Sequence, residues 1–253
     1  MTWETQQHFL KPDHRFLLFV FSATLFTYFF HALVNTIYSA SSERHAWNNR
    51  NKKWVAELFV FSGLLTAYAW WPYRQHIWPL LGAGIATFLY SAPNLPIEPF
   101  RSMRKIAIGK TIYLAAVWTY VTAFLPMMTN PVEMTASFWY YALHRFFLVF
   151  AICILFDRRD VVDDSSKGVR TLATMTNEKV LRIAFTTCLF LSFIMAALFS
   201  PGWIISYLHI PILITYFLYP AKENDWSDLF YFLVLDGLMM LSACLLAIAV
   251  IFF

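Results

Sequence analysis

The sequence predicts an all-α, polytopic transmembrane helix bundle with about eight spans. Three observations predict it. Of the 253 residues, 59% are apolar and 13% charged, whereas a soluble domain carries about 45–50% and about 25%. The apolar residues gather into eight runs near the length of roughly 20 residues that a helix needs to cross a hydrocarbon core. Lysine and arginine collect in alternate connections between those runs, as expected when basic loops are retained on one side of a bilayer.

The first run, 16–37, holds no formal charge. The second and third, 55–72 and 76–90, are joined by a short connection flanked by Trp70, Trp71 and Trp78, an aromatic belt of the kind found at membrane interfaces. A fourth run covers 109–128 and contains Pro126. The fifth, 136–155, carries His144 and Arg145 near its middle and ends in AICILF. Runs at 182–200, 203–219 and 229–253 follow, with Trp203 and Trp226 at span ends and Asp236 about two turns into the last.

The loops 38–54, 91–110, 156–182 and 220–228 hold 15 of the 19 lysines and arginines; the opposite side has Lys11, Arg15 and Arg74. These basic loops are therefore expected in the cytoplasm and both termini outside, in the inner membrane if the cell is bacterial. Residues before the first run have no n-region, h-region or cleavage site, so a signal peptide is not expected. Cys153, Cys188 and Cys244 are scattered within spans and are expected to be small packing residues. The net charge of +4 needs no nucleic acid; lipid head groups and an anionic substrate suffice as partners.

Chemistry concentrates at the end of the fifth run, in FDRRDVVDDSSKGVRTL, residues 156–172. On a continuous helix Asp157, Asp160 and Asp164 share one face, with Gly168 a turn further on, while Asp163 points elsewhere. Hard carboxylate oxygens on one face suit Mg²⁺ that also holds a diphosphate. The alternative is a solvated loop in which these acids are neutralised by Arg158, Arg159, Lys167 and Arg170.

The pattern D-x-x-D-x-x-x-D-x-x-x-G-x-x-T-L resembles the second aspartate-rich motif of the UbiA family of intramembrane prenyltransferases. YSAPNLP from Tyr90, followed by RSMRKIAIGK, is similar to the Tyr-Ser-x-Pro and basic loop of the same family. The resemblance implies a single UbiA-type domain over 1–253. It also implies Mg²⁺ on Asp157, Asp160 and Asp164 at this second motif only, and transfer of a polyprenyl group from its diphosphate to an aromatic or lipid acceptor. Asp160, Asp164 and Lys110 would be catalytic, with Arg170, Lys167, Lys105, Asn35 and Tyr90 contacting substrate. Family members usually have nine helices, so eight runs imply a member lacking the first helix or a start assigned too late.

The family's first motif, N-D-x-x-D-x-x-x-D, has no aspartate here; His31, Asn35, Ser39 and Glu43 recur at helical spacing in its place. Neutral His and Asn replace carboxylates poorly around Mg²⁺. A UbiA-fold protein that binds an isoprenoid lipid or supports a partner is therefore the alternative to an enzyme, and a small transporter a third reading. Arg145 is costly at mid-membrane depth. It is expected either to pair with Asp236 or to face a substrate cavity. Phe150, Tyr113 and Tyr90 are candidates to line such a cavity.

Overall fold

The computed structural model describes residues 1–38, 49–91, 109–166, 170–200, 207–219 and 231–252. All regular structure among these residues is helical. Among the described residues, each of the eight apolar runs falls on a helix or on helical pieces in sequence. Five helices are long and apolar enough to cross a membrane: His14–Val34, Thr111–Met128, Ala136–Arg159, Glu178–Phe199 and Leu233–Phe252. Of the remainder, Ile77–Ser91 has 15 residues and His209–Leu218 has 10, short of the roughly 20 a straight crossing takes. The 19-residue helix Lys52–Trp70 opens on Lys52, Lys53 and Glu57. Large apolar side chains point outward on several elements, among them Leu64 at 68%, Phe217 at 73% and Ile251 at 75% exposure. So much outward apolar surface is stable against lipid and not against water, and the molecule is a helical membrane protein.

The chain forms two compact units. The smaller, 11–104, contains α2 (His14–Tyr38), α3 (Lys52–Trp70), a 3₁₀ turn (Trp71–His76) and α4 (Ile77–Ser91). Helices α2 and α3 pack along their length, with Phe26 stacked on Phe59 at 4.5 Å. Gly63 allows the approach, because a Cβ there would sit 3.1 Å from the Phe26 ring. Asp13 caps α2, accepting from the amides of Arg15 and Phe16 at 3.0 and 3.1 Å, and its other oxygen accepts from the Tyr73 hydroxyl at 2.5 Å. The turn is thereby tied to the start of α2. Beside it lies an apolar cleft of about 680 Å³ lined by residues such as Phe19, Phe26, Trp70 and Phe88.

The larger unit comprises 3–10 and 105–253. Residues 3–9 of helix α1 (Thr2–Phe9) belong to it. Next come α5 (Gly109–Thr119), a π-helical turn (Tyr120–Phe124), α6 (Leu125–Met128) and α7 (Ala136–Arg159). Then follow α8 (Val161–Ser166), α9 (Leu172–Met175), α10 (Glu178–Phe199), α11 (His209–Leu218), a second π turn (Tyr231–Leu235) and α12 (Asp236–Phe252).

Helix α7 is the hub of this unit. Helices α10 and α5 run along it, and α9, α11 and α12 also touch it. Its apolar stretch is 72% buried, against 28% for α10 and 22% for α12. Phe138, Tyr141, Val149, Ala151, Ile152 and Ile154 form the centre of the core. Lipid tails are as apolar as these side chains, so close packing and interhelical hydrogen bonds hold such a bundle together. One bond of that kind is explicit: the Ser192 hydroxyl of α10 lies 2.9 Å from His144 Nδ1 and donates to the His144 carbonyl at 3.1 Å.

Candidate functional site

The acidic edge begins where α7 ends. Asp160 has φ −86° and ψ 3° and closes α7 through its amide bond to the Phe156 carbonyl at 3.0 Å. The chain restarts as α8, with the Asp164 amide bonded to the Asp160 carbonyl at 2.8 Å. A break therefore falls between Asp157 and Asp164, where the spacing alone predicts one continuous helix. Asp157 is buried at 5% exposure, and its Oδ2 accepts from the Thr111 hydroxyl of α5 at 2.5 Å. Asp164 is buried at 7%. Both oxygens of Asp160 are taken by Arg159, Nε to Oδ1 at 2.6 Å and Nη2 to Oδ2 at 3.1 Å. Among the described residues no three His, Cys, Asp or Glu side chains converge on a point where a metal could sit. The three acids flank one edge of the unit without forming a ligand set.

The neighbouring bases have other partners. Arg158 donates to the Tyr219 carbonyl at 2.7 Å, stacks over its ring at 4.1 Å and meets Glu178 at 3.3 Å. Arg159 lies over Tyr231 at 5.0 Å. Arg170 is exposed. Thr171 caps α9 in a reciprocal pair with Thr174: its amide donates to the Thr174 hydroxyl at 2.8 Å, and its own hydroxyl accepts from the Thr174 amide at 3.3 Å. The Thr-Leu that closes the sequence motif thus starts a helix. Lys105, Lys167, Gly168, Ser39 and Glu43 lie outside the described residues. Lys110, Asn35 and Tyr90 stand in α5, α2 and α4, with side chains outside the described residues. Asn35 and Tyr90 belong to the smaller unit, the acids to the larger.

A second polar centre lies deep in the larger unit, and Arg145 is its pivot. Its partner is Glu4 of α1, with Nη2 to Oε2 at 2.9 Å; Asp236, the partner expected from the sequence, opens α12 as an exposed residue. Two further donations run from Arg145 Nη1, to Thr5 Oγ1 at 2.9 Å and to the Thr122 carbonyl at 3.0 Å. Nη2 also contacts the Tyr141 hydroxyl, whose ring lies 4.5 Å beneath the guanidinium. Ser242 of α12 donates to Glu4 Oε2 at 3.1 Å.

The Thr122 carbonyl is open to these donors for a local reason. In an α-helix it would accept from the amide four residues on, which is Pro126 and has no N–H. Thr5 also donates to it, at 2.7 Å. Helix α1 therefore enters the bundle with its polar side inward: Glu4, Thr5 and Gln6 are all at 0% exposure. His8 joins by stacking on Tyr207 at 5.9 Å and sharing a short hydrogen bond with its hydroxyl.

Helix α1 leaves no span signal in the sequence, because its eight residues are low in apolar content. The available clue was Arg145, whose cost at that depth demanded an acid somewhere in the chain. Of the three cysteines expected to pack, Cys153 is buried, Cys188 partly so, and Cys244 exposed.

Comparison of this chain with family models, with curated proteins and with solved structures finds no match.

Proposed function

We propose that this chain is a UbiA-type membrane prenyltransferase, transferring a polyprenyl group from a diphosphate donor to an aromatic or lipid acceptor. The observation that carries the proposal is the ordered run of Asp157, Asp160, Asp164, Gly168, Thr171 and Leu172 at the end of a buried helix in a helical membrane protein. Supporting it, Asp157 is held against α5 by Thr111, the residue after Lys110. In this reading Lys110, Arg170, Lys167 and Lys105 contact the diphosphate oxygens as charge-assisted donors. The edge lies on the cytoplasmic side, where the basic loops would be retained.

The carboxylates, as placed, do not fit Mg²⁺. Asp160 is closed off by Arg159, Asp157 gives one oxygen to Thr111, and a small hard ion needs several oxygens in near-octahedral array. That observation favours a second reading, a UbiA-fold protein that binds an isoprenoid lipid, the diphosphate form included, or supports a partner without turning the substrate over. The absent first aspartate motif agrees with it.

Calorimetric titration of the purified protein with a polyprenyl diphosphate, with and without Mg²⁺, separates the readings. Enzyme function predicts Mg²⁺-dependent binding and release of diphosphate when an acceptor is present. The binding-protein reading predicts affinity that is indifferent to Mg²⁺, and no release. Asp157→Asn should alter binding while Glu133→Gln, in the connection before α7, should not. Absence of saturable binding under both conditions would overturn both readings.

A further inference from the structure

We infer that the larger unit contains a carboxylate-binding site centred on Arg145, and that Glu4 of α1 is its occupant in cis. The inference does not rest on the proposed prenyl chemistry, since Arg145 lies 12 residues, or about 18 Å of helix, from Asp157 along α7.

Three observations carry it. First, the guanidinium is held by groups outside α1. The Thr122 carbonyl at 3.0 Å and the Tyr141 hydroxyl accept from it, and the Tyr141 ring lies 4.5 Å below. Arg145 would thus keep its position and two acceptors when α1 departs.

Second, the fit of Glu4 is partial. Oε2 takes Arg145 and Ser242 at 2.9 and 3.1 Å, while Oε1 is fully buried with no hydrogen-bond partner among the described residues. A guanidinium can engage both oxygens of a carboxylate side by side, and Glu4 uses one. A free carboxylate, unconstrained by a helix backbone, can turn to use both.

Third, α1 presents the wrong face for a permanent core element. Glu4, Thr5 and Gln6 are its fully buried side chains in this unit, so its attachment combines polar contacts centred on one ion pair with the ring contacts of Phe9 on Phe138, Tyr141 and Phe199. A buried pair that is imperfectly hydrogen-bonded returns little of the desolvation it costs. The contact therefore works as a latch, released when another carboxylate competes for Arg145. The ligand class is a carboxylate, borne by a small organic acid or by the head of a fatty acyl chain.

The test uses the full chain in nanodiscs, with sodium formate as the probe and sodium chloride at equal ionic strength as the control. In the native protein, formate should speed amide hydrogen exchange across residues 2–9 by roughly threefold or more relative to chloride, since each opening of α1 would be captured. In Glu4→Ala the melting temperature should fall by roughly 10 °C, with formate restoring part of the loss saturably. The double variant Glu4→Ala, Arg145→Gln should show no restoration. Oleate in place of formate identifies the source: greater potency assigns a lipid acid, lower potency a small one, and either supports the site. Equal exchange in formate and chloride, or restoration that persists without Arg145, would overturn it. Should Glu4→Ala fail to fold, the exchange experiment on the native chain decides alone.

Discussion

Arg145 and Glu4 illustrate how a single buried charge organises its surroundings. Removing one member of such a pair leaves the other charged and unmatched, at a cost of about 3–5 kcal/mol. His8 sits at the edge of this network, and burial is the main cause that lowers its pKa below the usual 6.5; proximity to Arg145 acts in the same direction and Glu4 against both. The neutral imidazole is thus the folded form. The unfolded chain binds the proton more readily, so stability is present above about pH 6.5 and declines as pH falls through the depressed folded value. Acidification from pH 7.5 to 5 should therefore raise the proteolytic sensitivity of residues 2–9, and His8→Gln should flatten that dependence. Equal acid sensitivity in both proteins would remove His8 as the cause. Arg145 was legible in the sequence as a costly intramembrane charge. Its partner was not, because pairing across about 140 residues is decided by packing rather than by spacing.

At the scale of elements, the segment from α5 to α6 joins backbone chemistry to tertiary contact. Pro126 withdraws the amide that would close the Thr122 carbonyl, and Thr5 and Arg145 supply the missing donors. Pro126→Ala restores an intrahelical donor that competes with both. Amide exchange should slow around residue 126 and quicken in α1, with about 1 kcal/mol shifted from one to the other; exchange mass spectrometry reads both segments at once. Unchanged exchange in α1 would show that the proline is incidental to its docking. The five helices long and apolar enough to cross a membrane were visible in the sequence as apolar runs, because length and composition largely determine a membrane helix. The break at Asp160 was not: continuous helical spacing through Asp164 is a fair extrapolation from α7. The backbone instead turns where Arg159 folds back to grip Asp160.

For the whole molecule, the apolar exterior and the basic loops imply a defined orientation. Helix α7 separates the exposed residues Glu133 and Ser165, which should therefore lie on opposite sides of the bilayer. Cysteine placed at Glu133 should react with an impermeant maleimide in intact cells, and cysteine at Ser165 only after permeabilisation. The reverse pattern would invert the topology and place the acidic edge outside. By itself the sequence determined that this is a helical membrane protein, where its apolar helices run, and which residues bear charge in the wrong environment. Those properties depend on local composition and on the thickness of the bilayer. The tertiary structure alone decided that α7 is the hub, that Asp160 is spent on Arg159, and that Glu4 completes Arg145. Each follows from side chains distant in sequence competing for the same donor, acceptor or space, and only the packed bundle settles which of them meet.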